Sequence, residues 1–324
     1  MAPVRPFRFG TSLPATSRAE LVAELQKAKA AGYHAVAVTD HVGRLAPIST
    51  LGMLAALDST LRLTSMVFGN DFRNPVLLAN EAATIDLLSE GRLELGIGTG
   101  WMGTDYEKTG IAFEPAGVRI ERLREAIHII KGLFSDEAVT FRGRYYTVNT
   151  LNLWPKPLQH PHPPILIGGG GKRMLTLAAQ EADIVSINPR SVDGGMDLTT
   201  LTVESYAQRI EWVREAAGER INDIELHTYI FWVIVTDDQE QEAQKLIQAA
   251  ESDHLRRGES LTTGAHAFTV ETILDSPHVL IGTVDQMAAQ LEERRRRFGV
   301  SYYTPSSGIG PGTFGPVVSR LAGK

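Results

Sequence analysis

Short apolar runs alternate with amphipathic stretches along the chain. The first run, "FRFGTS" (Phe7–Ser12), precedes "RAELVAELQKAKAAG", whose apolar positions recur at helical spacing and which closes on Gly32, a favourable stop. "YHAVAVTDH" (Tyr33–His41) is a second strand. A short helix around Leu51–Leu57 leads to a third, "LRLTSMVFGND" (Leu61–Asp71). Pro75 opens the next helix and Gly91 follows it, the asymmetry expected of helix ends. Leu93–Ile97 is the fourth strand and Val118–Phe134 its helix. "VTFRGRYYTVN" is an inserted hairpin turning at Gly143. "PPILIGGGG" is the fifth strand, "RMLTLAAQEA" its helix, "ADIVSINPR" the sixth strand, and Val203–Ala217 a helix again. "IELHTYIFWVIV" (Ile224–Val235) is a long seventh strand. A polar, helix-rich insertion occupies about 237–276, in which "RRGESLTTGAHA" shows weak periodicity. "TVDQMAAQLEERRRRFG", "VSYYTP" as the eighth strand, and a last helix Pro316–Ala322 complete the chain.

Eight strands, each followed by a helix, predict one α/β domain over residues 1–324, a (β/α)8 TIM barrel carrying the hairpin and the post-strand-7 insertion. The strands are continuous apolar runs, as expected where both faces are covered. A doubly wound sheet would show a Gly-rich fingerprint after its first strand. Here "TSLPATS" stands there instead.

Composition narrows the function. The 324 residues are 43% hydrophobic and 22% charged, with a net charge of −6, which suits a globular protein and not a nucleic-acid partner. The densest cationic run, Arg294–Arg297, ends a helical pattern and reads as a solvated helix face. Without cysteine, disulfides and thiolate chemistry are excluded. No apolar run reaches the roughly 20 residues of a membrane span, and "MAPVRPFRFG" lacks a signal-peptide core. A cytoplasmic location is the expectation.

In such a barrel the active face lies at the C-terminal strand ends. Gly168, Gly169, Gly170 and Gly171 follow strand 5, with Lys172 and Arg173 opening the next helix. Amides, helix start and cations together form a phosphate cradle, and a plain flexible turn is the competing reading. Asp40 and His41 end strand 2, where the imidazole can move a proton. Gly98, Thr99 and Gly100 end strand 4 beside Trp101. The reading is that the glycines clear space for a flat group and Trp101 walls it. Asn188 ends strand 6. No second histidine stands at ligand spacing from His41, so no metal is expected.

These residues resemble a known family. "TDH", "NDFRNPVLLANEAATIDLLSEGRLELGIGTGW" and "PPILIGGGGKRMLTLAAQEADIV", with the terminal "FGPVVSRLAG", look like the bacterial luciferase-like monooxygenase superfamily, most of all its branch using the deazaflavin coenzyme F-420. The resemblance implies a homodimer and a flavin-type ring in the barrel mouth. The ring would lean on a strand 3 bulge with a non-prolyl cis peptide, which falls at Met66–Val67, and the coenzyme phosphate would lie over Gly169, Gly170 and Gly171. Asp40, Phe68, Asn70, Thr99, Gly100, Gly168, Lys172, Arg173 and Asn188 complete the implied coenzyme contacts. Asp40 and His41 would touch ring and substrate, with His41 moving the proton and Trp101 flanking the reaction. Two features depart from the family's sugar-phosphate dehydrogenases. Trp101 replaces a catalytic glutamate, and Asn188-Pro189-Arg190 stands where a lysine is expected, so whether Arg190 substitutes is open. The expected activity is hydride transfer between the deazaflavin and a small organic substrate. The rivals are a reduced-FMN monooxygenase and a non-catalytic coenzyme binder.

Overall fold

The computed structural model describes residues 5–192, 194–256 and 269–324. Eight parallel strands close a barrel in chain order: β1 (Arg8–Ser12), β2 (Ala35–Val38), β3 (Arg62–Ser65), β4 (Leu93–Gly98), β5 (Ile165–Gly169), β6 (Ile184–Ile187), β7 (Glu225–Ile230) and β8 (Tyr302–Pro305). Each pairs in parallel with its neighbours, and β8 returns to β1 through Arg8–Tyr302 and Phe9–Tyr303. The outer helices are α1 (Arg18–Ala31), α2 (Pro47–Leu57), α3 (Pro75–Leu88), α4 (Ala116–Phe134), α5 (Lys172–Glu181), α6 (Val203–Ala217), α7 (Val284–Phe298) and α8 (Pro311–Leu321).

Local chemistry sets these boundaries. The Ser17 side chain accepts from the Glu20 amide to start α1, and Gly32 in the left-handed region ends it. Thr283 and Gln286 form a reciprocal capping box at α7. The hairpin forms with strands Val139–Arg142 and Thr147–Leu151, its turn held by Glu125, whose carboxylate accepts the amides of Arg144 and Tyr145 at 2.8 and 2.9 Å.

Several expectations are corrected. The third strand stops at Ser65 and resumes only as Phe68–Gly69, with a cis peptide at Met66–Val67 in the gap. The long seventh strand is two. After Ile230 the chain leaves the barrel, and Trp232–Val235 pairs with Val279–Gly282, a strand absent from the sequence reading. An apolar run has the same pattern whichever partner it finds, so periodicity could not show the exchange. The insertion carries a helix over Gln239–Arg256 and another over Val270–Asp275. Its weakly periodic segment lies, but for Arg256, outside the described residues. The last helix begins at Pro311, with Pro316 inside it. The arginine run is not simply solvated. Arg294 is buried and donates to the carbonyls of Pro277, Ser276 and Val279, while Arg295 lies over the Phe7 ring at 3.8 Å.

The barrel interior is partly polar. His227 on β7 is fully buried, its Nδ1 2.7 Å from Ser186 Oγ and its Nε2 3.0 Å from Thr304 Oγ1. Burial lowers its pKa to about 3. Burial lowers that of His278 to about 3 too, with the Arg209 charge acting the same way. Both rings fold neutral, so below the ordinary histidine pKa the unfolded chain binds more protons than the native one. Stability is complete above about pH 6.5 and falls as pH drops toward 3, at about 1.4 kcal/mol per ring for each unit. Thermal unfolding followed from pH 7 to pH 5, above most carboxylate titration, should show a falling midpoint whose slope is reduced in His227→Gln, with His278 keeping its share. A flat wild-type curve refutes the assignment.

Candidate functional site

The C-terminal strand ends surround a cleft of about 970 Å³. Its wall includes Asp40 and His41 after β2, Met66 and Val67 at the cis bulge, Thr99, Gly100 and Trp101 after β4, Gly168 to Arg173 after β5, and Asn188 after β6. Most residues singled out in the sequence therefore meet in one hollow. Phe68 and Asn70 do not line it. The Phe68 ring is in the barrel core, and the Asn70 amide donates to the Tyr146 hydroxyl of the hairpin at 3.2 Å.

The glycines are explained mainly by close packing. A Cβ on Gly98 would stand 2.9 Å from Val67 Cγ2, so this position makes room for the bulge. Gly100 has φ +75, and a Cβ there would meet the Tyr106 hydroxyl at 2.1 Å. In the β5 loop, added Cβ atoms would meet Asn188 Nδ2 at 2.9 Å from Gly168, Met174 Cγ at 2.5 Å from Gly169, and the Pro189 carbonyl at 2.3 Å from Gly170. Only Gly171 of the four faces open space. It precedes α5, whose first turn has no side-chain cap, so this end keeps amide donors for a ligand. Lys172 and Arg173 stand beside it but face acids: Lys172 Nζ is 3.7 Å from Glu215, and Arg173 is 2.7 Å from Glu121.

Asp40 is occupied structurally. Its carboxylate receives the Gly69 amide at 2.9 Å and both terminal nitrogens of Arg73, one at 3.0 Å, which ties the end of β2 to the bulge. His41 has a different partner. Its Nδ1 is 2.7 Å from Asp105 Oδ2, and the Val42 amide donates to Asp105 Oδ1 at 3.3 Å. Asp105 is buried in a short helix, Gly103–Thr109, which the sequence reading missed. The acidic first turn and Gly110 in the left-handed region after the helix were the available signals. With Nδ1–H given to a carboxylate, Nε2 is the ring's basic nitrogen, and it has no hydrogen-bond partner among the described residues. The Trp101 ring stands edge-on to His41, centroids 6.0 Å apart at 86°. Trp101 remains 42% exposed, so its ring is a wall of the cleft and not a plug.

The β4 exit is braced by residues outside the sequence reading. Arg119 donates to Glu114 O at 2.8 Å and Thr99 O at 3.2 Å, also reaches Gly100 O, and lies over the Phe113 ring at 4.2 Å. The Tyr106 hydroxyl lies 2.9 Å from Thr99 O and 3.0 Å from Asp71. Burial and the Asp71 charge push its pKa up, so it stays a neutral donor. Beneath the glycine loop, Asn188 Nδ2 donates to Ser186 Oγ at 3.2 Å, and Ser186 contacts His227.

Residues 4–302 match the luciferase-like monooxygenase family, and the chain belongs to it. It is 35% identical over 182 residues to the 5,10-methylenetetrahydromethanopterin reductase of Archaeoglobus fulgidus, covering 56% of this chain and 53% of that one. It is 27% identical over 174 residues to the FMNH2-dependent dimethylsulfone monooxygenase of Pseudomonas putida, covering 54% and 44%. The chain thus spans about half the length of these curated relatives. In fold it is similar to the coenzyme F-420-dependent tetrahydromethanopterin reductase of Methanopyrus kandleri, with a TM-score of 0.76, 18% identity and 98% of each chain covered. The family's members are oxidoreductases and monooxygenases, and both F-420 and FMN occur among the relatives. Among the described residues no helix is long and apolar enough to cross a membrane.

Proposed function

We propose that this chain is an oxidoreductase that binds the deazaflavin coenzyme F-420 in the cleft and passes a hydride between it and a small organic substrate. The observation that carries this reading is the His41–Asp105 pair, whose unspent Nε2 belongs to the same cleft as an uncapped helix start. A binding protein has no need of an oriented base there. The residues fit such a coenzyme: the open side of Gly171 and the first amides of α5 would hold an anionic tail, and the cis bulge at Met66–Val67 would back a ring.

When bound, the coenzyme would supply the carbon that gives or takes the hydride. Everything else falls to the protein. His41 Nε2 would hold the proton that leaves or joins the substrate oxygen. Asp105 would fix the tautomer and stabilise the ring when charged. Trp101 would keep the substrate against His41, while Arg119 and Tyr106 hold the β4 exit in place. The second reading, a reduced-FMN monooxygenase, is favoured by the similarity to the dimethylsulfone monooxygenase.

Fluorescence titration of the protein with each coenzyme separates them. F-420 should bind saturably and more tightly than FMN. Gly171→Val places a side chain in the open cradle, where nothing in the protein lies within 4 Å of the new Cβ. It should weaken binding by about tenfold or more with an unchanged unfolding midpoint. Tight FMN binding without F-420 binding overturns the proposal.

A further inference from the structure

The wall facing the glycine loop bears on the substrate. In a closed eight-stranded barrel β8 and β2 each stand three strands from β5, so the loops after them look across the mouth at Gly168–Gly171, with the end of β7 beside β8. Arg44, Tyr229 and Ser307 gather there. The Arg44 amide donates to His41 O at 3.2 Å through a turn at Gly43, which carries the guanidinium on the same loop as His41. Arg44 Nη1 is 3.4 Å from Ser307 Oγ, and the Ser307 amide donates to the Tyr229 hydroxyl at 3.0 Å. Burial raises the Tyr229 pKa, only partly offset by Ser307 and the Arg44 charge, so the phenol keeps its proton. Ser307 meets this hydroxyl through both its backbone and its side chain, which sets the phenol and the serine together beside Arg44.

The other cations of the cleft are engaged. Lys172 and Arg173 face glutamates, Arg190 is 2.7 Å from Asp197, and Arg119 is spent on carbonyls. Arg44 has no carboxylate partner among the described residues. Of the acids on the wall, Asp40 is held by Arg73 and Asp105 by His41, and Glu114 belongs to the loop before α4 on the β4 side. A planar guanidinium beside two hydroxyls, with one uncompensated positive charge, matches one carboxylate. A phosphate dianion would call for a second cation.

We infer that Arg44, Tyr229 and Ser307 form a carboxylate-recognising subsite for the substrate, on the His41 side of the cleft and opposite the coenzyme loop. The inference rests on the proposed reading only in taking this cleft as the substrate's. Phe231 stands beside Tyr229, and Trp101 and Phe113 line the cleft from the β4 side, which sets the rest of the ligand as apolar.

The probes are 4-phenylbutyrate, its primary amide and phenyl phosphate, titrated calorimetrically into the full chain with and without saturating coenzyme. Wild type should bind the carboxylate about tenfold more tightly than the amide and more tightly than phenyl phosphate. Arg44→Gln should erase the acid–amide difference and Tyr229→Phe reduce it, both without moving the unfolding midpoint or coenzyme affinity. Equal binding of acid and amide, no binding of either, tighter phenyl phosphate, or a preference surviving Arg44→Gln overturns the subsite. So does an Arg44→Gln variant that loses coenzyme affinity in parallel, since the coenzyme's own tail would then be the occupant. Failure of the coenzyme to bind at all strikes the proposed function instead, and the acid–amide comparison on the free protein still decides the subsite.

Discussion

Replacing His41 with Ala lowers turnover with F-420 by about 10²–10⁴-fold while changing coenzyme affinity by less than about threefold, the range expected for loss of a positioned acid–base group. The split follows from the geometry. The cradle at Gly171 and α5 is after β5, whereas His41 is after β2 and contributes a nitrogen that no protein group uses. Asp105→Asn tests the partner. An amide N–H toward Nδ1 would force the proton onto Nε2 and leave the wrong tautomer facing the substrate. Turnover should fall by at least about tenfold with KM little changed. A His41→Ala variant that loses coenzyme binding and turnover equally would favour a binding role, and one with near wild-type turnover would remove His41 from the chemistry.

Glu94→Ala should cost about 3–5 kcal/mol, lowering the unfolding midpoint by about 4–7 °C. Glu94 is on β4, 1% exposed, inside the barrel. Its carboxylate receives Arg8, Arg62 Nε at 2.8 Å, Thr64 Oγ1 at 2.9 Å and the Tyr302 hydroxyl at 3.1 Å. Burial alone would raise its pKa, but the Arg8 and Arg62 charges outweigh that and hold it low. Deleting it leaves the half-buried Arg62 without a carboxylate and Arg8 with Glu225 alone. Glu94→Gln keeps shape and some hydrogen bonds and should lose less. If Ala unfolds with a midpoint within about 2 °C of wild type, the polar layer is not what joins β4 to β1 and β8.

Much of the scaffold was legible because its signals are local. Ser17, Gly32, Pro75, Thr283 and the alternation of runs report energies settled within a few residues. The rim positions of His41, Trp101 and the four glycines followed from the rule that barrel sites gather at strand ends. The errors share a cause. The exit of the chain after Ile230 and the burial of Arg294 both depend on neighbours distant in sequence. Three of the four glycines in the β5 loop, and both in the β4 exit, also leave room for protein atoms, which only the folded neighbours reveal.

The sequence by itself determined most of the succession of elements, the parallel barrel and the rim position of His41, Trp101 and the β5 glycines, because period, capping and turn chemistry are short-range. Only the tertiary structure decided that His41 is oriented by Asp105, 64 residues away, and that Arg44 alone among the cleft's basic side chains meets neither a carboxylate nor a carbonyl through its side chain among the described residues. Those pairings exist because closing the barrel brings separate loops to one rim, and no pattern along the chain records which side chains will then meet.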